Sequence, residues 1–174
     1  MHETSQAAEQ SGVQKQPAAT AAARDGILVV DKPAQKTSAW VVNRIKRLAG
    51  VAKAGHTGTL DPFATGLLIC PVNRATRLSR FFLHSEKTYA GVLRLGAETD
   101  TLDRTGRIIA AHEVPELTGE HIQQVLQEFT GKIQQVPPAY SALKHNGVPL
   151  YKYARAGTPV EKPPRTVEIR DIRI

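Results

Sequence analysis

The densest run of residues able to do chemistry is Gly55-His56-Thr57-Gly58-Thr59-Leu60-Asp61-Pro62-Phe63-Ala64-Thr65-Gly66. Three glycines, a proline and four small or hydroxyl residues within twelve positions specify a tight, irregular loop that leads into a strand. Asp61 precedes Pro62, which drives its backbone toward the extended region and so fixes the direction of its side chain. A carboxylate presented this way is a candidate for catalysis, although by residue type alone the commoner use of such an aspartate is to cap its own turn. A phosphate-cradling loop is a third reading, but the Lys-[Ser/Thr] ending of that motif is absent.

Other chemistries have less support. Cys70 is the only cysteine, which excludes an intramolecular disulfide and any multi-cysteine zinc site, and the six histidines show no HExxH spacing, so no metal is implied. Charge is more informative. The formal net charge is +7, yet residues 1–25 hold only Lys15 and Arg24 against Glu3, Glu9 and Asp25. The remaining 149 residues therefore carry 21 basic and 13 acidic groups, a balance of +8. A basic folded part suits a polyanion, because neutralised phosphates release counterions; a generally solvated basic surface is the plainer alternative.

These residues need elements to hold them. The length suits one domain, and the 41% hydrophobic and 22% charged fractions are those of a globular protein. Residues 1–25 are expected to be a disordered tail, because they are rich in Ala, Gln, Ser and Thr and lack aromatics. Order begins at Gly26: Ile27-Leu28-Val29-Val30 reads as a strand closed by the turn residues Asp31-Lys32-Pro33. Ser38 can cap a helix whose Val41, Ile45 and Leu48 share a face, ending near Gly50, with Lys46 and Arg47 on the other face. A buried strand is expected over 66–70, then a short helix with Leu78, Phe81 and Phe82 on its apolar side. Further strands are expected over 89–95, 107–111, 132–136 and 166–174. A second helix over 119–129 carries Ile122, Val125, Leu126 and Phe129 as a stripe, and another helix runs through Tyr151 and Tyr153. Without regular βαβ alternation, the fold class is α+β, a mixed and mainly antiparallel sheet with flanking helices.

The run GHTGTLDPFATGLL closely resembles the signature that carries the catalytic aspartate in the TruB family of tRNA pseudouridine synthases. Three more segments resemble that family in the same order: Asp31-Lys32-Pro33 with Thr37-Ser38, then Lys87-Thr88-Tyr89, then Pro137-Pro138 with Tyr140-Ser141-Ala142-Leu143-Lys144. Gly147, Tyr151, Ala154-Arg155 and Gly157 extend the match, which covers nearly all of residues 26–174. One departure is Gln35, where the family often has glycine.

The resemblance implies a pseudouridine synthase-like fold and a cofactor-free isomerisation of a uridine in the T loop of tRNA, by convention position 55, to its C5-glycoside. The glycosidic bond breaks, the uracil turns, and it rejoins through C5 in a pocket closed to water. Asp61 would be the catalytic residue, as covalent nucleophile or as base on the sugar. His56 would fill or stabilise the place vacated by the flipped base, and Tyr89 would stack on the uracil. Each has a plainer reading, a turn histidine bonded to backbone and a core tyrosine. Asp103 resembles a position near the active site, with a turn role equally open. By their place after the 66–70 strand, Arg77 and Arg74 are candidate phosphate contacts, a solvated helix face being the plainer reading of either. Lys144, Lys152 and Arg155 are further phosphate candidates beside Tyr151 and Tyr153, which are expected to pack in the core.

The expected partner is therefore the tRNA T-arm stem-loop, bound by a monomer. The sequence has no apolar run long enough for a bilayer and no basic start followed by an apolar h-region, so the expected location is the cytoplasm. A non-catalytic RNA-binding fragment and a guide-RNA-dependent synthase are the alternatives. The family's later Lys-Gly-[Thr/Ser]-Tyr-[Ile/Val]-Arg segment, whose arginine pairs with the catalytic aspartate, has no match here, nor does a PUA-like domain. Residues 26–174 thus read as an apparently truncated N-terminal portion of the catalytic domain, expected to be nearly inert by itself.

Overall fold

The computed structural model describes residues 24–174, so all of the expected tail except Arg24 and Asp25 lies outside the described residues. The described residues divide into two compact units, one running to Lys87 and the other Thr88–Ile174. The fold class is α+β: short helices accompany four separate two-stranded sheets, and every ladder is antiparallel. No helix among the described residues is long and apolar enough to cross a membrane.

The first unit is built on β1 (Gly26–Lys32) and β2 (Gly66–Val72), which pair over their full length from Gly26 opposite Val72 to Lys32 opposite Gly66. The segment 53–57 runs antiparallel along the other side of β2. Its bonds alternate as a strand's do: Asn73 N–H donates to Lys53 O at 2.8 Å, Gly55 N–H to Pro71 O at 3.0 Å and Thr57 N–H to Ile69 O at 3.0 Å. Arg24 and Asp25 are tied down at the C-terminal end of β2, where Asn73 Nδ2 donates to Arg24 O at 2.9 Å and Arg74 N–H to Asp25 Oδ1 at 2.8 Å.

Helix α1 (Ser38–Ala49) packs on this sheet through Val41 and Ile45, which join Val51, Leu68, Cys70 and Val72 in the core. Two expectations change here. Thr37, not Ser38, caps α1: its hydroxyl accepts from Trp40 N–H at 3.0 Å, and Ser38 is the first helical residue, with a buried side chain committed elsewhere. Leu48 is exposed rather than part of the stripe. The helix stops at Gly50, whose left-handed φ of 60° turns the chain so that Val51 fills the end of the core instead. After β2 come a 3-10 helix (Asn73–Leu78) and α2 (Ser79–Leu83), on which Leu78 and Phe81 are exposed.

In the second unit β3 (Ala97–Thr99) pairs with β4 (Ile108–Ala111). The strand expected over 89–95 does not form, although 107–111 is found largely as β4. A strand exists only through its ladder, and no described segment pairs with 89–95, leaving Val92 fully exposed. Helix α3 (Gly119–Glu128) is capped by Thr118 and leads into β5 (Gly131–Gln135), which pairs with β8 (Arg165–Ile169). Val125 and Phe129 of the expected stripe are exposed. Between them lie the small hairpin β6 (Lys144–His145) and β7 (Val148–Pro149) and helix α4 (Leu150–Arg155), anchored by the buried Leu150.

Candidate active site

The loop carrying Asp61 is fixed on both sides of the aspartate by buried polar side chains. On one side, Ser38 Oγ accepts from Leu60 N–H at 3.0 Å and donates to Leu60 O at 3.3 Å, so a single hydroxyl holds both backbone groups of the preceding residue. On the other, Lys32 Nζ donates to Pro62 O at 3.3 Å, as well as to Pro33 O at 3.0 Å and Lys36 O at 2.7 Å. Lys32 is 0% exposed, and these three carbonyls take up its three donors. Further along, Ala64 N–H closes a turn on Asp61 O at 3.0 Å, and Asp31 Oδ1 accepts from Gly66 N–H at 3.1 Å where β2 begins.

Asp61 itself is exposed, and its carboxylate accepts no hydrogen bond among the described residues. It is therefore not a turn-capping aspartate: its neighbours are immobilised while its own oxygens face outward. Desolvation pushes the Lys32 ammonium below the ordinary lysine range, and the Asp61 charge opposes that shift. The pair thus interacts through space even though Lys32 spends its protons on backbone carbonyls.

His56 stands five residues earlier on the strand-like segment beside β2, partly buried, between the tethered Gly55 and Thr57. Its Nδ1 is buried with no hydrogen-bond partner, so the reading of a turn histidine bonded to backbone through that atom does not hold. Arg77, at the end of the 3-10 helix, is exposed and makes no ion pair or hydrogen bond among the described residues. Arg74 lies 3.9 Å from Asp25. His56, Asp61, Arg74 and Arg77 all belong to the first unit.

Tyr89 and Asp103 belong to the second unit. Tyr89 is 73% exposed and outside any strand, so its ring is not core. Asp103 is the centre of its own loop. Its Oδ1 accepts from Thr101 Oγ at 2.8 Å, Thr105 N–H at 2.7 Å and Thr105 Oγ at 2.6 Å. Desolvation would raise its pKa, but these bonds to Thr105 and Thr101, with Gly106 N–H, outweigh it and hold the carboxyl below the usual range. On α4, Tyr151 and Tyr153 are half-buried; Tyr153 OH donates to His145 O at 3.2 Å, and the Arg155 guanidinium lies 5.3 Å from the Tyr151 ring centre. Lys144 and Lys152 are exposed.

Two residues that shape the site were not among those expected to. In the sequence Lys32 and Ser38 stand in a turn and at a cap, within a segment that resembles the family but to which no site role is attached. A lysine closing a β-branched strand, followed by a second turn rich in hydroxyls, was the available signal.

Comparison with known proteins identifies the family. Residues 46–174 match the model of the TruB family pseudouridylate synthase, N-terminal domain. A tRNA pseudouridine synthase B of Bordetella avium (strain 197N) is 50% identical over 152 residues, covering 86% of this chain and 62% of that protein. One from Azoarcus sp. (strain BH72) is 47% identical over 150 residues, covering 86% of this chain and 50% of that protein. The chain thus spans about half to three fifths of the length of these curated relatives. Among solved structures, a chain in a Cbf5-Nop10-Gar1 complex superposes with a TM-score of 0.46 at 31% identity, over 68% of this chain and 31% of that one.

Proposed function

We propose that this chain, which belongs to the TruB family of pseudouridylate synthases, forms the part of a tRNA pseudouridine synthase that carries the catalytic aspartate. The observation that carries this reading is the loop around Asp61. The residues before and after it are held by Ser38 and Lys32, while the carboxylate is left open. Such preorganisation is what a group acting on a docked substrate requires, because no ordering is left to be done when the substrate arrives.

In this reading the substrate is a uridine of the tRNA T loop, position 55 by convention. The base is extruded from its stack, at a cost of a few kcal/mol that replacement contacts offset. His56 fills the vacated place, Tyr89 stacks on the uracil, and Arg77 contacts phosphate. Asp61 acts on the sugar as the bond from C1′ to N1 breaks; the uracil turns and rejoins through C5, so that product and substrate are isomers. Asp103 holds its own loop together through Thr101 and Thr105. The protein acts as a cytoplasmic monomer on tRNA, and residues 26–174 form the N-terminal portion of its catalytic domain.

The test uses the full-length protein and an unmodified T-arm stem-loop with no other RNA. Conversion of the target uridine is expected, and Asp61→Asn should bind the stem-loop as before while its rate falls by about a thousandfold or more. An Asp61→Asn enzyme that keeps a tenth of the rate would remove the assignment. Conversion only after a second RNA is added would point instead to guide-dependent modification.

A further inference from the structure

We propose that the exposed face of α1 is a second RNA-contact surface, gripping the phosphate backbone of the same RNA whose uridine the Asp61 loop receives; this rests on the reading of that loop given above. The sequence first suggests it. Residues 32–53 contain Lys32, Lys36, Arg44, Lys46, Arg47 and Lys53 and no acidic residue. Lys32 is internal, but the other five are exposed, and none pairs with a carboxylate among the described residues. By contrast, Arg74, Arg107 and Arg173 do take Asp25, Asp100 and Asp171. A helix twelve residues long that offers cations alone is complementary to a polyanion.

The aromatic on this face makes the surface more specific. Trp40 is the protein's only tryptophan, and it is 39% exposed on α1 rather than part of the core cluster. Lys36 Nζ lies 5.3 Å from the centre of its ring. Trp40, Arg44 and Arg47 recur at i, i+4 and i+7, so they form one stripe along the helix, roughly 10 Å from end to end. An aromatic plane beside guanidinium groups is the pattern with which proteins stack on bases and bind the adjoining phosphates. A lipid surface would need the apolar side of α1, but Val41 and Ile45 are already in the core.

The stripe is also joined to the catalytic loop. Ser38, two residues before Trp40, holds both backbone groups of Leu60, the residue before Asp61. RNA lying along α1 would therefore be registered against the loop by a rigid connection.

The experiment measures fluorescence anisotropy of a labelled T-arm stem-loop, over a range of salt, with the purified protein and three surface variants. Arg44→Gln/Arg47→Gln should raise Kd about tenfold or more and reduce the salt slope by about one per arginine removed. Trp40→Ala should raise Kd several-fold, and Leu48→Gln, exposed on the same helix, should change nothing. The rate of pseudouridine formation at saturating RNA should be unaltered in all three. An unchanged Kd and slope in the double arginine variant would overturn the proposal, as would an equal loss in Leu48→Gln, which would indicate disturbance of the helix. The affinity measurements decide the stripe, whereas the absence of conversion by the unmodified protein would count against the catalytic reading alone.

Discussion

Lys32 concentrates the energetics of the site in one side chain. Its ammonium is buried, which is costly, and three carbonyls offset that cost. Lys32→Met removes the charge but leaves the Pro33, Lys36 and Pro62 carbonyls without their donor, and the second effect should win, destabilising the protein by about 2–4 kcal/mol. The pH dependence carries a definite sign. The folded pKa of Lys32 lies below its ordinary 10.5, so between the two values the unfolded chain holds a proton that the folded one has released. Its contribution to stability therefore rises with pH across that window and is least favourable below it. Denaturant unfolding from pH 7 to 11 should show the difference between wild type and Lys32→Met widening as the pH climbs. Gln35 offers an opposite test at the neighbouring turn. Its φ of 62° is left-handed, a conformation that strains a side chain by about 1–2 kcal/mol, against about 0.5–1 kcal/mol of extra chain entropy for glycine. Gln35→Gly should thus be neutral to stabilising, by up to about 1.5 kcal/mol, and a clear fall in thermal midpoint would show that the Gln35 side chain contributes something more. Glycine, threonine and proline make an irregular loop legible around Asp61 and His56, while the roles proposed for those two residues come from the family resemblance. Lys32 was not legible, because a lysine at a strand end ordinarily reaches solvent.

At the scale of elements, β2 is what holds the site in place, because it pairs with β1 on one side and with 53–57 on the other while its inner face builds the core. Cys70 at its centre is 0% exposed, and burial pushes its thiol up from 9.0 to about 11. The folded protein thus keeps a proton that the unfolded chain loses above pH 9.0. Stability from this group is complete below 9.0 and falls as pH rises to about 11, by about 2–3 kcal/mol at most. This opposes the Lys32 effect in the overlapping window, so wild-type stability alone would hide both. Cys70→Val, close in volume, should remove the loss, and its stability relative to wild type should rise steadily between pH 9 and 11; a pH-independent difference would mean that the thiol ionises as freely folded as unfolded. The hydrophobic patterning of β1, α1 and β2 made these elements readable. The same logic failed at 89–95, where a largely apolar run looks like a strand but a ladder needs a partner, and at Leu48, which lies in the last turn of α1 but is exposed while Val51, beyond Gly50, fills the end of the core.

For the whole molecule, the distribution of buried apolar surface is uneven, and this makes a prediction about where the chain opens first. In the first unit, Val41, Ile45, Val51, Leu68, Cys70 and Val72 form one continuous cluster, each large member contributing about 1.5–3 kcal/mol of burial. Among the described residues of the second unit, Leu150 is the one large hydrophobic that is fully buried, while Val92, Leu93, Ile108, Ile109 and Val136 are exposed. Its ladders, β3 with β4 and β5 with β8, are two-stranded and short, a form that is marginal in water without a packed face. Local opening should therefore cost much less there than in the first unit. Amide hydrogen exchange is expected to find the slowest protons in β1 and β2, with those of β3, β4, β5 and β8 exchanging at least about tenfold faster. RNA that contacts the second unit should slow exchange there more than in the first, which has little ordering left to gain. Equal protection of both units in the free protein would show that the second is held by interactions beyond its few buried side chains, and would remove the argument that substrate orders it.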